Sequence, residues 1–544
     1  MPGPAELSFN TMLDKTPALA PVLLCCASAV LFLPGLGNRD LWAPGEPIYG
    51  EVIRSMFEKH EWLVPTLNGQ LFPDKPALYY WLALVISKLS GSVSEWTLRL
   101  PAALAGMGLV LVTYEFGRRF FDRRSGFFAA LILASTSRIL WESRFLRLDT
   151  VLAFFLFSGF YFFVRAFTHK GAPSFYLYAY LCFALATLTK GPIGLALPGL
   201  AVILLLFATA KWQELRNMRL ISGSLLVIGV LSPWLVLLHL QGQDRWLREF
   251  ILIHNVQNYA LEPIGHVRPF YYYFINLPPD FLPWILLIPG ALLYYYPWHR
   301  QLRDPVSLAL CCWFAAIFLF FSLSKSKIAY YLLPLLPSLA ILAGRYCSVV
   351  TSSRDLRGVH WRCTEILLYV FSAVLMIGGL ALPFVTYRLE HGLFGWAITL
   401  SIVLVIGAGA TIFFLYRKRS FFCFSVLMTT VIVVAALAGI GVLPYLDKYK
   451  SPRPIAEFIK ARVPADVPVY IYQSTMADFN FYSGRERIPV VGSAQEIESL
   501  QKRDREAYLL INEKDLSEIA VNRSQHVAMQ QRIGDRTWYL LKLI

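Results

Sequence analysis

Thirteen apolar runs, most of them about as long as a bilayer is thick, dominate this chain of 544 residues. A helix rises about 1.5 Å per residue, so it needs roughly 20 apolar residues to cross the hydrocarbon. The runs are 17–36, 97–117, 125–141, 149–168, 174–189, 192–209, 219–240, 281–297, 305–323, 330–346, 364–386, 392–415 and 421–444. A shorter run, 77–90, lies between Pro76 and Gly91 and is expected as a helix packed at the interface. Only 16% of residues are charged against 56% hydrophobic, where a soluble protein carries about 25% charged. The expected fold class is a polytopic α-helical membrane protein of about 13 spanning helices, with interfacial helices in the first outer loop and a small C-terminal α/β domain.

The net charge of +15 does not indicate nucleic acid, because the basic residues cluster in short loops. With 77–90 kept out of the membrane and the N-terminus inside, the inner loops hold Arg118, Arg119, Arg123 and Arg124, then Lys211, Arg216 and Arg219. They also hold His299, Arg300 and Arg303; Arg354, Arg357 and Arg362; and Arg417, Lys418 and Arg419. Counting 77–90 as a span would put all of them outside, against the positive-inside bias. Two long loops, 37–76 and 241–280, and the tail then face outward. No basic stretch or cleavage site precedes the first run, so 17–36 is expected to be a retained span. The cysteines show no CxxC pattern and are read as packed or lipid-facing thiols.

Two domains are expected: residues 1–444 as the membrane domain and 445–544 as an outer α/β domain. In the tail, Ser451 caps a helix opening at Pro452, and Ser493 with Glu496 has capping-box spacing. Strands are expected at Val467–Ile471, Phe479–Tyr482, Ile488–Val491, Tyr508–Ile511 and Trp538–Leu543. The tail has no glycine-rich phosphate loop or metal spacing and is expected to support or cover the membrane domain.

Polar residues collect at the outer helix ends, where charged groups are best solvated. In the first loop, Pro47 opens an amphipathic surface helix whose polar side carries Glu51, Arg54 and Glu58. Glu46 sits at its N-terminus, where a carboxylate is stabilised. The loop ends in Phe72-Pro73-Asp74-Lys75-Pro76, an acid and a base held between prolines. Glu142, Arg144, Arg147 and Asp149 crowd the junction of spans three and four. Lys190 stands between spans five and six, and Lys325 and Lys327 precede Tyr330 and Tyr331. The second long loop carries His254 and Arg268 among aromatic residues. Each cation alone reads as snorkelling or structurally paired. Together, on the outer side, they read as an anion site, and a lipid phosphate satisfies it through charge-assisted hydrogen bonds.

On these residues the chain resembles the C-type membrane glycosyltransferases, most of all the bacterial aminoarabinose transferases that modify lipid A and their polyprenyl-phosphate-mannose protein mannosyltransferase relatives. The matching stretches are Leu41–Met56, Trp62–Pro65, Asn68-Gly69, Phe72–Trp81, Arg99–Pro101, Gly117–Arg119, Arg144–Asp149, Leu188–Pro192, His254-Asn255, Arg268–Tyr273, Phe281–Trp284 and Ser322–Pro337. The resemblance implies that a sugar is moved, with inversion, from an undecaprenyl-type phosphate carrier to lipid A, lipopolysaccharide or another extracytoplasmic lipid or glycan acceptor. It implies a multi-pass protein of the bacterial cell inner membrane, with the active site and tail periplasmic.

Carried over residue by residue, the resemblance makes Glu46, Asp74 and Lys75 the catalytic candidates. Arg54, Arg144, Asp149, Lys190, Arg268, Lys327 and Tyr331 become candidates for substrate and phosphate binding. No cofactor is required, though in some relatives the acid at Asp74 binds a divalent metal ion near a loop histidine, here His254. Four positions depart from the family pattern. Gly45-Glu46 replaces Asp-Glu, Ile48 and Asn258 stand where relatives carry Arg, and Asp280 stands where relatives often have Gly. Glu46 projects about 100° from the missing Asp; Asp40 and Asp280 are weaker substitutes, and a phosphate acceptor would need no base. The competing classes are a non-catalytic lipid-binding or scaffold protein on the same fold, motivated by Gly45, and a transporter, for which no inverted repeat is found.

Overall fold

The computed structural model describes residues 16, 18–168, 173–250, 267–295, 304–352, 358–474, 478–503, 506–518 and 527–543. The chain divides into two compact units. The first comprises residues 1–34, 74–79 and 101–441; the second comprises 35–73, 80–100 and 442–544.

The first unit is helical. Among the described residues, eight helices are long and apolar enough to cross a membrane. A ninth forms if the pair Tyr272–Asp280 and Trp284–Tyr295, bent by 103°, counts as one span. Pro278, Pro279 and Pro283 lie in or beside this bend, where each removes a backbone donor and breaks the helical ladder. Leu19–Phe32, Leu78–Ser90 and Ile193–Thr209 are shorter apolar helices. Among the described residues helix occupies most of each expected run, with Leu19–Phe32 shorter than the expected 17–36 and Val359–Leu389 longer than the expected 364–386. The run 125–141 is broken at Ser135-Thr136 into Arg123–Ala134 and Ser137–Glu142. Leu220–Leu240 and Val359–Leu389 are apolar yet largely unburied along their length, with Ile221 81% and Leu389 78% exposed, as expected of helices that face lipid. By contrast, Leu148–Thr168 is buried along most of its length and packs against Ser174–Lys190.

The second unit joins the first outer loop to the tail. Its five-stranded sheet has the order β4-β3-β5-β7-β6, built from β3 (Val469–Tyr472), β4 (Val490–Val491), β5 (Ala507–Asn512), β6 (Val527–Ile533) and β7 (Arg536–Leu543). β3 pairs in parallel with β4 and β5, while β7 pairs antiparallel with β5 and β6. One face contributes Tyr470, Tyr472, Leu509, Ile511, Leu541 and Leu543 to a core closed by Ile497 and Leu500 of Ala494–Arg503. β3 and β5 are buried on both faces, which is why they read as unbroken apolar runs. Ser451 Oγ accepts from Arg453 N, as the capping pattern predicts, and the helix runs Arg453–Arg462. Phe479–Tyr482 is not a strand. Asn480–Ser483 is a helical turn closed by Gly484 at φ 69°, a conformation that favours glycine. The edge strand β6 was not foreseen, because Gln530, Gln531 and Arg532 in its second half are polar and only Ile533 is buried.

The outer loop is pinned within this unit. A small hairpin, β1 (Thr66–Leu67) with β2 (Gln70–Leu71), presents Asn68, whose amide exchanges two hydrogen bonds with the backbone of Ile488. Arg453 donates to Asp40, and the amide of Leu41 donates to the Tyr482 hydroxyl.

Candidate active site

Asp149 lies in the first turn of Leu148–Thr168, and Lys190 is the last residue of Ser174–Lys190. Consecutive packed helices run antiparallel, so the start of one meets the end of the other. Each helix dipole favours the charge it carries there. Lys190 Nζ lies 2.5 Å from Asp149 Oδ1, with both side chains largely buried. The tight turn Ala329–Leu335 brings two aromatic rings over this pair. Lys190 Nζ is 4.5 Å from the centre of the Tyr331 ring and 5.5 Å from that of Tyr330.

Tyr330 also carries the Arg147 guanidinium, 5.0 Å from its ring centre. Arg147 lies 3.5 Å from Glu142, which accepts from Arg138 at 3.0 Å, and Arg138 reaches Asp280. Burial raises the Glu142 carboxyl above the usual range, opposed by Arg147 and Arg138. On the other side, Tyr331 lies within electrostatic range of Asp149, Lys75 and Asp74. Lys75 Nζ is 2.7 Å from Asp74 Oδ1, and both side chains keep about a fifth of their surface open. The result is one polar line, from Asp74 and Lys75 through Tyr331, Lys190 and Asp149 to Tyr330, Arg147, Glu142, Arg138 and Asp280. Each cation along it is paired with a carboxylate, and the two lysines fall on either side of Tyr331.

Three other candidates in this unit serve the backbone. Arg144 is buried and donates to the carbonyls of Leu31, Pro34 and Gly439. A Cβ on Gly439 would run into its guanidinium, so glycine is needed there for close approach. Lys327 donates to the carbonyls of Ser324 and Arg268. The Arg268 amide donates to Lys325, closing a short antiparallel bridge between Val267 and Ser326. The Arg268 side chain is exposed.

Glu46 and Arg54 belong to the second unit. Glu46 is 1% exposed. Its oxygens accept from Arg39, from Arg99 and from the Trp42 amide. Arg99 also binds the carbonyls of Leu36, Arg39 and Asp40, so the pair knots the loop together. Gly45 takes φ 115°, where an Asp would be strained. Arg54 spends its donors on Glu51 and Glu58. Of the two weaker substitutes, Asp40 is bound by Arg453 and Asp280 by Arg138.

His254 lies outside the described residues. Among the described residues, no group of three or more His, Cys, Asp or Glu is placed to hold a metal ion. Arg147, Tyr330, Glu142 and Arg138 were not singled out as site residues from sequence. The signal available was the crowding of Glu142 and Arg147 at the junction of spans three and four; Tyr330 was marked only by the lysines before it, and Arg138 not at all.

The family described as dolichyl-phosphate-mannose-protein mannosyltransferase matches residues 74–237. An uncharacterised protein from Aquifex aeolicus is 31% identical over 60% of this chain and 62% of its own length, so the chain spans about three fifths of that relative. An undecaprenyl phosphate-alpha-4-amino-4-deoxy-L-arabinose arabinosyl transferase from Shewanella sediminis is 26% identical over 89% of this chain and 88% of its own. Among solved structures, apo ArnT from Cupriavidus metallidurans has a TM-score of 0.77 at 23% identity, covering 96% of this chain and 98% of that one. The Archaeoglobus fulgidus oligosaccharyltransferase AglB, solved with an inhibitory peptide and a dolichol-phosphate, has a TM-score of 0.57 at 12% identity, covering 93% of this chain and 70% of that one. In the order of its motifs and in its fold the chain is thus similar to the aminoarabinose transferases and the protein mannosyltransferases, the C-type membrane glycosyltransferases.

Proposed function

We propose that the chain transfers a sugar from a polyprenyl-phosphate carrier, of the undecaprenyl type, to an extracytoplasmic acceptor such as lipid A or another lipopolysaccharide component. The observation that carries this reading is the pairing of Lys75 and Lys190 with Asp74 and Asp149 around the Tyr331 ring. A carrier phosphate entering there takes donors from both lysines, and the carboxylates keep the empty site neutral. In the reaction, an acceptor oxygen forms a bond to the anomeric carbon from the face opposite the phosphate, which inverts that carbon. The bond from anomeric carbon to phosphate oxygen breaks, and its electron pair leaves on the phosphate. Lys75 and Lys190 stabilise that growing charge. For a hydroxyl acceptor, Asp74, displaced from Lys75, takes the proton; an ionised phosphate acceptor has no proton to lose.

Arg147 and Tyr330 hold the wall of the site, and Glu142 orients Arg147. Arg144, Lys327 and Arg268 shape the cavity by tying backbone segments, and Glu46 and Arg54 order the outer loop. The same reading puts the chain in a bacterial inner membrane with this site in the periplasm. On this reading residues 1–444 are the transferase domain and 445–544 a periplasmic α/β domain. The transferred unit is a pentose or hexose.

The test is transfer by the purified protein in nanodiscs from a lipid-linked sugar fraction to lipid A, comparing wild type with Lys190→Met. Wild type should form a glycolipid and the variant should be slowed by about 10²-fold. Lipid retention without transfer by wild type under all acceptors would support the scaffold reading instead.

A further inference from the structure

Arg138 stands between two carboxylates. Its Nε and Nη2 both donate to Asp280 Oδ1, at 2.9 and 2.5 Å, and its Nη1 donates to Glu142 Oε1 at 3.0 Å. The guanidinium therefore gives its Nε–Nη2 edge to Asp280 and meets Glu142 with a single nitrogen. That leaves Glu142 Oε2 for Arg147, whose Nε lies 3.5 Å away. All four side chains belong to the same compact unit, and the two cations balance the two carboxylates.

The plain task for the Arg138–Asp280 pair is to fasten the bent helix pair to helix Ser137–Glu142, but other groups do this already. The Ser137 hydroxyl donates to the carbonyls of Pro279 and Asp280, and the Ser137 amide donates to the carbonyl of Leu282. Trp284 Nε1 donates to the Ser135 hydroxyl. Each of these bonds is made without the Asp280 side chain.

What the Asp280 carboxylate decides is how Arg138 is turned. Arg138 and Glu142 are four residues apart on one helix, so they are neighbours on its surface. Without Asp280, Nη2 is released, and the Nη1–Nη2 edge takes both oxygens of Glu142 in the two-bond pairing that arginine and carboxylate favour. Arg147 then loses that carboxylate to Arg138. Arg147 lies just before the helix that carries Asp149, and it shares the Tyr330 ring with Lys190, at 5.0 and 5.5 Å from the ring centre. A shift of Arg147 therefore moves the wall beside the Lys190–Asp149 pair.

We propose that Asp280 is a positioning residue: it holds Arg138 off Glu142, so that Glu142 keeps an oxygen for Arg147 and Arg147 keeps its place on Tyr330. The consequence for turnover rests on the transfer reading above, whereas the placement of Arg147 does not.

The experiment uses two variants and two readouts on the full chain in nanodiscs. Asp280→Ala frees Arg138. Asp280→Ala/Arg138→Met also removes the competitor, leaving one cation and one carboxylate in balance. The first readout needs no reaction: modification of Arg147 by phenylglyoxal, followed by peptide mass spectrometry. Arg147 should react about fivefold faster in Asp280→Ala, the factor that a partly exposed ion pair is worth, and should return to the wild-type rate in the double variant. The second readout is transfer. In Asp280→Ala kcat should fall about tenfold with KM for the donor lipid nearly unchanged, and the double variant should recover most of the loss. A simple clamp gives no such rescue, because the double variant lacks both ends of the pair. An unchanged Arg147 rate in Asp280→Ala, or a double variant as reactive and as slow as the single one, would overturn the inference. If wild type transfers no sugar, the transfer reading falls, and the labelling alone decides whether Asp280 places Arg147. If Asp280→Ala fails to fold, Asp280→Asn takes its place in both variants, with the same directions expected.

Discussion

Lys75→Ala is the most direct probe of the proposed chemistry. The carrier-linked donor is a phosphodiester with one negative charge, and the departing monoester develops a second. That second charge appears only as the bond breaks, so a cation near it acts more strongly on the transition state than on binding. A unit charge about 4 Å away interacts by about 4 kcal/mol at an effective dielectric near 20. Bond breaking is partial at the transition state, and Lys190 shares the load, so Lys75 accounts for about 2–3 kcal/mol. That corresponds to a fall of about 30- to 150-fold in kcat, with KM for the donor changed little. The fold should survive, since the Lys75–Asp74 pair is about a fifth exposed and such pairs contribute at most about 1 kcal/mol. The assay is initial-rate transfer in nanodiscs over a range of donor, with thermal unfolding as the control for folding. A variant with normal kcat and a raised KM would refute the argument that Lys75 stabilises developing charge. Normal values of both would remove it from the site.

Three further outcomes follow from the same geometry. Glu46→Gln takes the counter-charge from Arg39 and Arg99, both buried, and should cost about 3 kcal/mol of stability, read as a lowered unfolding temperature; a stable variant with selectively lost turnover would instead give Glu46 a catalytic part. Arg144→Lys puts its donors on one nitrogen, which cannot span the carbonyls of Leu31, Pro34 and Gly439 that two guanidinium nitrogens reach, and should destabilise by about 2 kcal/mol in the same measurement. Burial raises Glu51 and Asp478 to about 7 and Asp447 to about 6 in the folded outer unit. The folded state therefore binds these protons more tightly than the unfolded chain, so stability is greatest below about pH 4 for these groups and declines as pH rises through 6 and 7. Unfolding temperatures across pH 5–8 should fall on the alkaline side for wild type, and less so for Glu51→Gln.

Much of the fold was legible because apolar length and charge placement are local properties. A run such as Leu148–Thr168 must be a buried or lipid-facing helix wherever it packs. The tail's core strands were visible because Tyr508–Ile511 is apolar throughout. β6 was not, because an exposed edge strand keeps polar residues on its open face. Asn480–Ser483 was misread because its aromatic content favours a strand, while the Gly484 turn closes it as a helix.

The site divides along the same line. The sequence by itself determined that Asp74, Lys75, Asp149, Lys190 and Tyr331 lie at helix ends, where charge can be solvated. Only the tertiary structure decided which of them meet. Asp149 and Lys190 are brought together by two antiparallel helices, and a turn nearly 140 residues further on lays Tyr331 over them. It also decided that Glu46, Arg54, Arg144 and Lys327 bind groups of their own chain, because a charge's partner depends on which backbones pass near it. Spacing along a sequence does not encode that. Residue type supplies the chemistry, and packing supplies the partner.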